Sequence, residues 1–191
     1  MKLLLRSIIT TALIFLMFNA ASAQTDGFGF LDTVYADVAR VDDQNWSITV
    51  SYSNDQRIVG ISIPLKFDAG DIPVVADSAI YMGGRAERFT YKGFRADTAD
   101  QCVTLGLIAN MGPTNNTLLP GRGRIVTVFV SSIDAGASVE NLKVDTTTTH
   151  PGNSLSMVAD RVQPDLGADT IPIENYRIRQ IRPVWIVRKS Q

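Results

Sequence analysis

Six residues within Tyr81–Arg95 carry the most surface chemistry in this chain: Arg85, Arg88, Phe89, Tyr91, Lys92 and Arg95. A strand over Arg88–Phe94 has a side-chain period of two. That spacing puts Phe89 and Tyr91 on one face and Arg88 and Lys92 on the other, with Arg85 and Arg95 nearby. Aromatic faces stack on sugar rings, and arginine forks pair with carboxylates. The same alternation describes an ordinary half-buried strand, with the aromatics in the core and the cations solvated outside. The second arrangement is the commoner one.

Catalytic chemistry has far less to work with. His150 is the only histidine, between Thr146–Thr149 and Pro151-Gly152. A hydrolytic triad needs a base held beside a nucleophile and oriented by an acid. No serine or aspartate is singled out by spacing for either role, so His150 reads as a surface loop residue. Zinc needs three or four His, Cys or acidic ligands, and one histidine with one cysteine does not make such a set. Calcium prefers loop oxygens, which Asp42-Asp43, Asp68 with Asp71, and Asp97 with Asp100 would offer. Their spacing is not that of an EF-hand, and turn-forming aspartates explain them equally well. No cofactor is expected, with calcium as the one ion open. Cys102 starts a strand on the face opposite Val103, Leu105 and Leu107. It reads as a small buried hydrophobe, or else as an odd cysteine pairing between molecules. Asn45-Trp46-Ser47 and Asn115-Asn116-Thr117 match the glycosylation triplet. Gly121-Arg122-Gly123 lacks the Lys-Ser/Thr of a phosphate loop and reads as a turn.

Nearly every segment from Thr33 to Arg161 that must position these residues reads as strand. Val34, Ala36 and Val38 alternate with polar neighbours, as do Trp46, Ile48, Val50 and Tyr52. The clearest run is Val59, Ile61, Ile63, Leu65 and Phe67, which predicts one buried and one wet face. Pro64 lacks a backbone donor, which predicts an edge strand or a bulge there. Shorter runs follow at Ile72–Val75, Ala79–Met82 and Arg88–Phe94, then a strong strand at Cys102–Met111 and further runs at Arg124–Ser131, Val139–Val144 and Leu155–Val162, with turn residues between them. Short strands at such intervals predict an all-β fold, a two-sheet jelly-roll-like β-sandwich over 24–162. From 163 to 191 the chain is rich in proline and arginine, yet Tyr176, Ile178, Trp185 and Ile186 make it apolar. That segment is expected to be a packed strand or a docking tail.

The N-terminus sets the compartment. Lys2 and Arg6 precede an apolar run, Ile8–Phe18, followed by Ala21-Ser22-Ala23 and Gln24. This is the pattern of a secretory signal peptide over 1–23. The run is too short for a bilayer span of roughly 20 residues. The mature chain is expected outside the cytoplasm, as a secreted, periplasmic or cell-surface protein. The sequence has 18 Lys and Arg against 19 Asp and Glu, and two of the cations fall in the leader. This balance gives no reason to expect nucleic acid as a partner. A single cysteine excludes an internal disulfide framework, so the core must hold the fold.

Two runs resemble landmark strands of bacterial cohesin domains. Gly60-Ile-Ser-Ile-Pro-Leu-Lys-Phe-Asp68 resembles the family's strand that begins near a glycine and ends in an aromatic-Asp pair. Gly123-Arg-Ile-Val-Thr-Val-Phe-Val130 resembles its later glycine-then-aliphatic strand ending in Phe-x-Val. The resemblance spans Thr33 to Val144. It implies a nine-stranded jelly-roll sandwich that holds an extracellular protein, dockerin-like, through one sheet face. It assigns no individual contact residue. A polysaccharide-binding module of similar architecture is the close alternative. A secreted hydrolase is the alternative of another class and requires paired carboxylates or a placed nucleophile.

Overall fold

Alternation of β-branched and small polar residues makes strands throughout, and none of the described residues is helical. The structure, a computed structural model, describes residues 31–109, 116–134, 136–145, 155–159, 179–181 and 183–189. The leader at 1–23, His150 and Asn115 lie outside these residues, as does most of 163–191.

One sheet contains β1 (Thr33–Arg40), β2 (Asn45–Asn54), β4 (Val74–Ile80), β7 (Gly121–Ser132) and β11 (Val184–Lys189). Their order is β11-β1-β2-β7-β4. The other contains β3 (Ile58–Asp68), β5 (Tyr91–Asp97), β6 (Cys102–Ile108), β9 (Ser156–Ala159) and β10 (Arg179–Ile181), in the order β10-β9-β3-β6-β5. A short β8 (Lys143–Asp145) also pairs with β3. The two sheets form the expected β-sandwich. Ile48, Val50 and Tyr52 from the first and Ile63, Leu65, Leu105 and Leu107 from the second belong to one continuous core. Pairing is antiparallel except at β11, which runs parallel to the edge of β1. Trp185 of β11 is half-buried against the core, whereas Ile186 and Val187 are exposed. The Trp46 indole N–H donates to the Val139 carbonyl at 3.1 Å, which ties the approach to β8 onto β2.

Two local expectations are corrected, and one further irregularity appears in β7. Val59 is only half-buried, because a register shift between Ile58 and Gly60 turns Ile58 into the core instead. A similar irregularity opposite Val50 and Ser51 gives Ile125 to the core beside Val126, so Phe129 falls on the outer side. Pro64 marks neither an edge nor a bulge, since β3 is interior to its sheet. The Val59 carbonyl and the Phe67 N–H face the β6 side. Alternation therefore turns the Pro64 nitrogen to the other flank. There β9 pairing stops at Ser62 and β8 pairing starts at Lys66. The missing donor faces this gap in the ladder.

Candidate functional site

The segment between β4 and β5 does not form the expected strand over Arg88–Phe94. It is a run of turns in which Gly84 N–H donates to Tyr81, Glu87 N–H to Gly84 and Phe89 N–H to Ala86. Gly83 takes a left-handed φ of 70°. A Cβ on Gly84 would stand 2.5 Å from the Ile125 carbonyl oxygen, so this turn lies hard against β7. The strand starts only at Tyr91, and the aromatic pair is split. Phe89 is buried at 3% exposure, while Tyr91 is 47% exposed. Lys92 is exposed, and its ammonium donates to the Phe89 carbonyl at 2.7 Å.

Arg85 is a clamp rather than a free surface cation. Its Nη1 donates to the carbonyls of Tyr52 at 2.8 Å and Gly121 at 2.9 Å, and its Nη2 donates to Leu119. Burial holds its pKa below the usual guanidinium value, opposed by the nearby Tyr52 and Asp32. Beneath it the Tyr52 hydroxyl donates to the Asp32 carboxylate, and both side chains are buried. Sequence reasoning missed this pair, because Asp32 precedes β1 and has no patterned neighbour. Tyr52→Phe removes a buried donor to a carboxylate, so it is expected to cost about 1–3 kcal/mol. Urea unfolding should show a lower midpoint with an unchanged m-value.

The three aspartate loops spend oxygens on their own backbones. Asp42 Oδ1 accepts from the Gln44 and Asn45 N–H groups, Asp68 Oδ1 from Gly70, and Asp97 Oδ1 from Ala99 and Asp100. The Asn45 side-chain amide, with the Gln44 N–H next, holds the Asp42 carboxyl below its ordinary pKa. No cluster of three or more His, Cys, Asp or Glu suited to a metal occurs among the described residues. Cys102 is buried, and desolvation pushes its thiol pKa up, reinforced by Asp97 and Asp100. A raised thiol is a poor nucleophile.

The outer face of β5-β6-β3-β9 has the geometry of a docking surface. Pairing aligns Tyr91, Ile108, Gly60 and Val158 in one cross-strand row. The next row is Gly93, Gly106, Ser62 and Ser156, and the third is Arg95, Thr104 and Pro64. Asp97, Cys102, Lys66 and Asp145 close the far end. The middle row has almost no side chain, so it forms a flat floor. A Cβ on Gly106 would meet nothing within 4 Å. Tyr91 leans over Gly93, its hydroxyl 2.9 Å from where a Cβ would stand. Exposed Tyr91 and Ile108, the latter at 42%, border the floor with apolar surface. The opposite sheet presents a different outer face. There Ser47, Thr49, Ser51 and Thr127 align, Arg188 pairs with Asp37 at 2.6 Å, and Arg122 and Arg188 lie over the Tyr35 ring.

Solved structures share this architecture. The sixth cohesin of scaffoldin B from Acetivibrio cellulolyticus, in complex with a dockerin, matches with a TM-score of 0.52 at 7% identity. That match covers 84% of this chain and 100% of the other. The seventh ScaB type I cohesin from Pseudobacteroides cellulosolvens matches at a TM-score of 0.51 and 7% identity, over 85% of this chain and 94% of the other. The fold is that of a cohesin. No protein-family model matches the sequence, and neither does any curated protein. The two runs that resemble cohesin landmarks fall on β3 and β7, one in each sheet of the cohesin-like sandwich. Of the six candidate residues, Tyr91 and Arg95 lie on the flat face. Arg85, Arg88 and Phe89 instead line a cleft beyond its end, and Lys92 belongs to neither.

Proposed function

We propose that the mature chain is a non-catalytic extracellular module that docks a protein partner, dockerin-like in role, on the outer face of β5-β6-β3-β9. The observation that carries this reading is the Gly93-Gly106-Ser62-Ser156 floor bordered by exposed Tyr91 and Ile108. A flat backbone surface with an apolar margin suits another folded surface, where a few large side chains carry most of the energy. A cohesin neighbour solved with a dockerin supports the same use of the fold. Export is supported by the leader pattern at 1–23. No helix among the described residues is long and apolar enough to cross a membrane. The polysaccharide alternative loses its stacking pair, because Phe89 is buried and Tyr91 is left as the one exposed aromatic of the two.

Capture by the immobilised mature chain from its own extracellular fraction tests the proposal. Ile108→Asp places a charge on the apolar margin without touching the core. Wild type is expected to retain a specific protein and the variant to lose it, with unchanged circular dichroism. Equal retention by both would move the contact elsewhere. Turnover of a glycoside or ester, abolished by one carboxylate or serine change, would refute the non-catalytic assignment.

A further inference from the structure

The flat face is too small to hold a partner alone. Seven-residue stretches of β5, β6 and β3 with the four residues of β9, about 4.8 Å apart at about 3.3 Å per residue, cover about 400 Å². A standard interface buries about 800 Å² on each partner. A partner of standard size therefore reaches beyond these rows.

The end beside the Tyr91–Val158 row opens into a cleft of about 410 Å³. Arg88 and Phe89 lie just before β5, Arg57 lies just before β3, and Leu118 bridges to Ile58. The cleft thus adjoins that end of the sheet, and its lining is separate from the residues of the face. Three guanidinium groups line it, those of Arg57, Arg85 and Arg88, and no carboxylate does. Arg88 is exposed and has no hydrogen-bond or ion-pair partner among the described residues. Arg57 is exposed, with a single 3.4 Å contact to the Thr117 hydroxyl. Arg85 spends three of its five N–H donors on carbonyls, which leaves two and fixes the group in place. The remaining walls are Asn116, Thr117, Leu118, Pro120 and the exposed Leu119.

We propose that this cleft is a carboxylate-binding pocket that receives an acidic segment of the partner polypeptide. The inference rests on the docking face proposed above and adds the charge of what lies across it. Guanidinium forks that lack their own carboxylates select that group. A peptide fits better than an acidic glycan, because Phe89 at 3% exposure offers no platform for a sugar ring.

The test is an amide-shift NMR titration of the mature chain with a capped octaglutamate peptide, a capped octalysine peptide and tetragalacturonate. Octaglutamate is expected to shift the amides of Arg57, Arg88 and Thr117–Leu119, and octalysine is not. Arg57→Ala with Arg88→Ala should weaken octaglutamate at least tenfold, while Lys143→Ala, exposed and remote from the cleft, should not. Both pocket changes are at exposed side chains, so folding is retained, and Arg85 is left in place as the clamp. Absence of shifts at the cleft, or shifts unchanged by the double variant, overturns the pocket. Tighter binding of tetragalacturonate at the cleft overturns the peptide in favour of a glycan. Partner capture separates the two proposals. If the double variant captures like wild type while Ile108→Asp does not, the pocket fails and the face stands. If the double variant loses capture and Ile108→Asp keeps it, the pocket stands and the face fails.

Discussion

Ile63→Asp is expected to leave no cooperatively folded protein under native conditions. Ile63 is fully buried, paired with Leu105 of β6 and set between Ile61 and Leu65 on the inner face of β3. A carboxylate there has no water and no designed donor, so it must either stay charged and unpaired or take up a proton. Changes of this kind reach about 4–5 kcal/mol or more, against a total stability of about 5–15 kcal/mol for a typical domain. Lys66→Glu, three residues along the same strand, turns to the outer face and is only half-buried. It is expected to cost less than about 1 kcal/mol, since exposed charge pairs contribute little. Circular dichroism and urea unfolding of the two variants check the contrast. Equal tolerance of both would contradict the sandwich.

Gly106→Trp is expected to have the largest effect on binding while sparing the fold. A side chain at Gly106 enters open space, and the residue sits on a regular strand between Gly93 and Ser62. Aromatic residues suit such a position, whereas glycine weakens a strand interior. The indole therefore costs the free protein little. It also stands in the middle of the floor, where a partner backbone must approach most closely. Lifting the partner from its central contacts is expected to weaken association by about 100-fold or more, which corresponds to about 2.7 kcal/mol. Thermal unfolding of the variant should match wild type.

Long-range alternation was readable from the chain because its cause is local. Ile61, Ile63, Leu65 and Phe67 bury one face whatever their neighbours do, and so do Val103, Leu105 and Leu107. The failures come from pairing that no single strand encodes. Val59 loses its place in the core to a register shift set by β9. Pro64 is tolerated inside the sheet because two short partners stop on either side of it. Phe89 and Tyr91 part company because Gly83-Gly84 and the Arg85 clamp hold the chain in turns until Tyr91. The cleft was half visible. Arg85 and Arg88 fall in the stretch singled out by composition, but Arg57 arrives from 28 positions earlier through the Ile58–Leu118 bridge. The flat floor was invisible as a site, because Gly93, Gly106 and Ser62 acquire meaning only once β5, β6 and β3 lie side by side.

The most direct measurement is the equilibrium affinity of the retained partner for wild type, Gly106→Trp and Ser47→Trp. Both substitutions place the same indole on an outer face, one on each sheet of the sandwich. If the β5-β6-β3-β9 face carries the partner, Gly106→Trp loses about 100-fold and Ser47→Trp stays within about twofold of wild type. A loss confined to Ser47→Trp, or no loss in either, would contradict the assignment of the binding face.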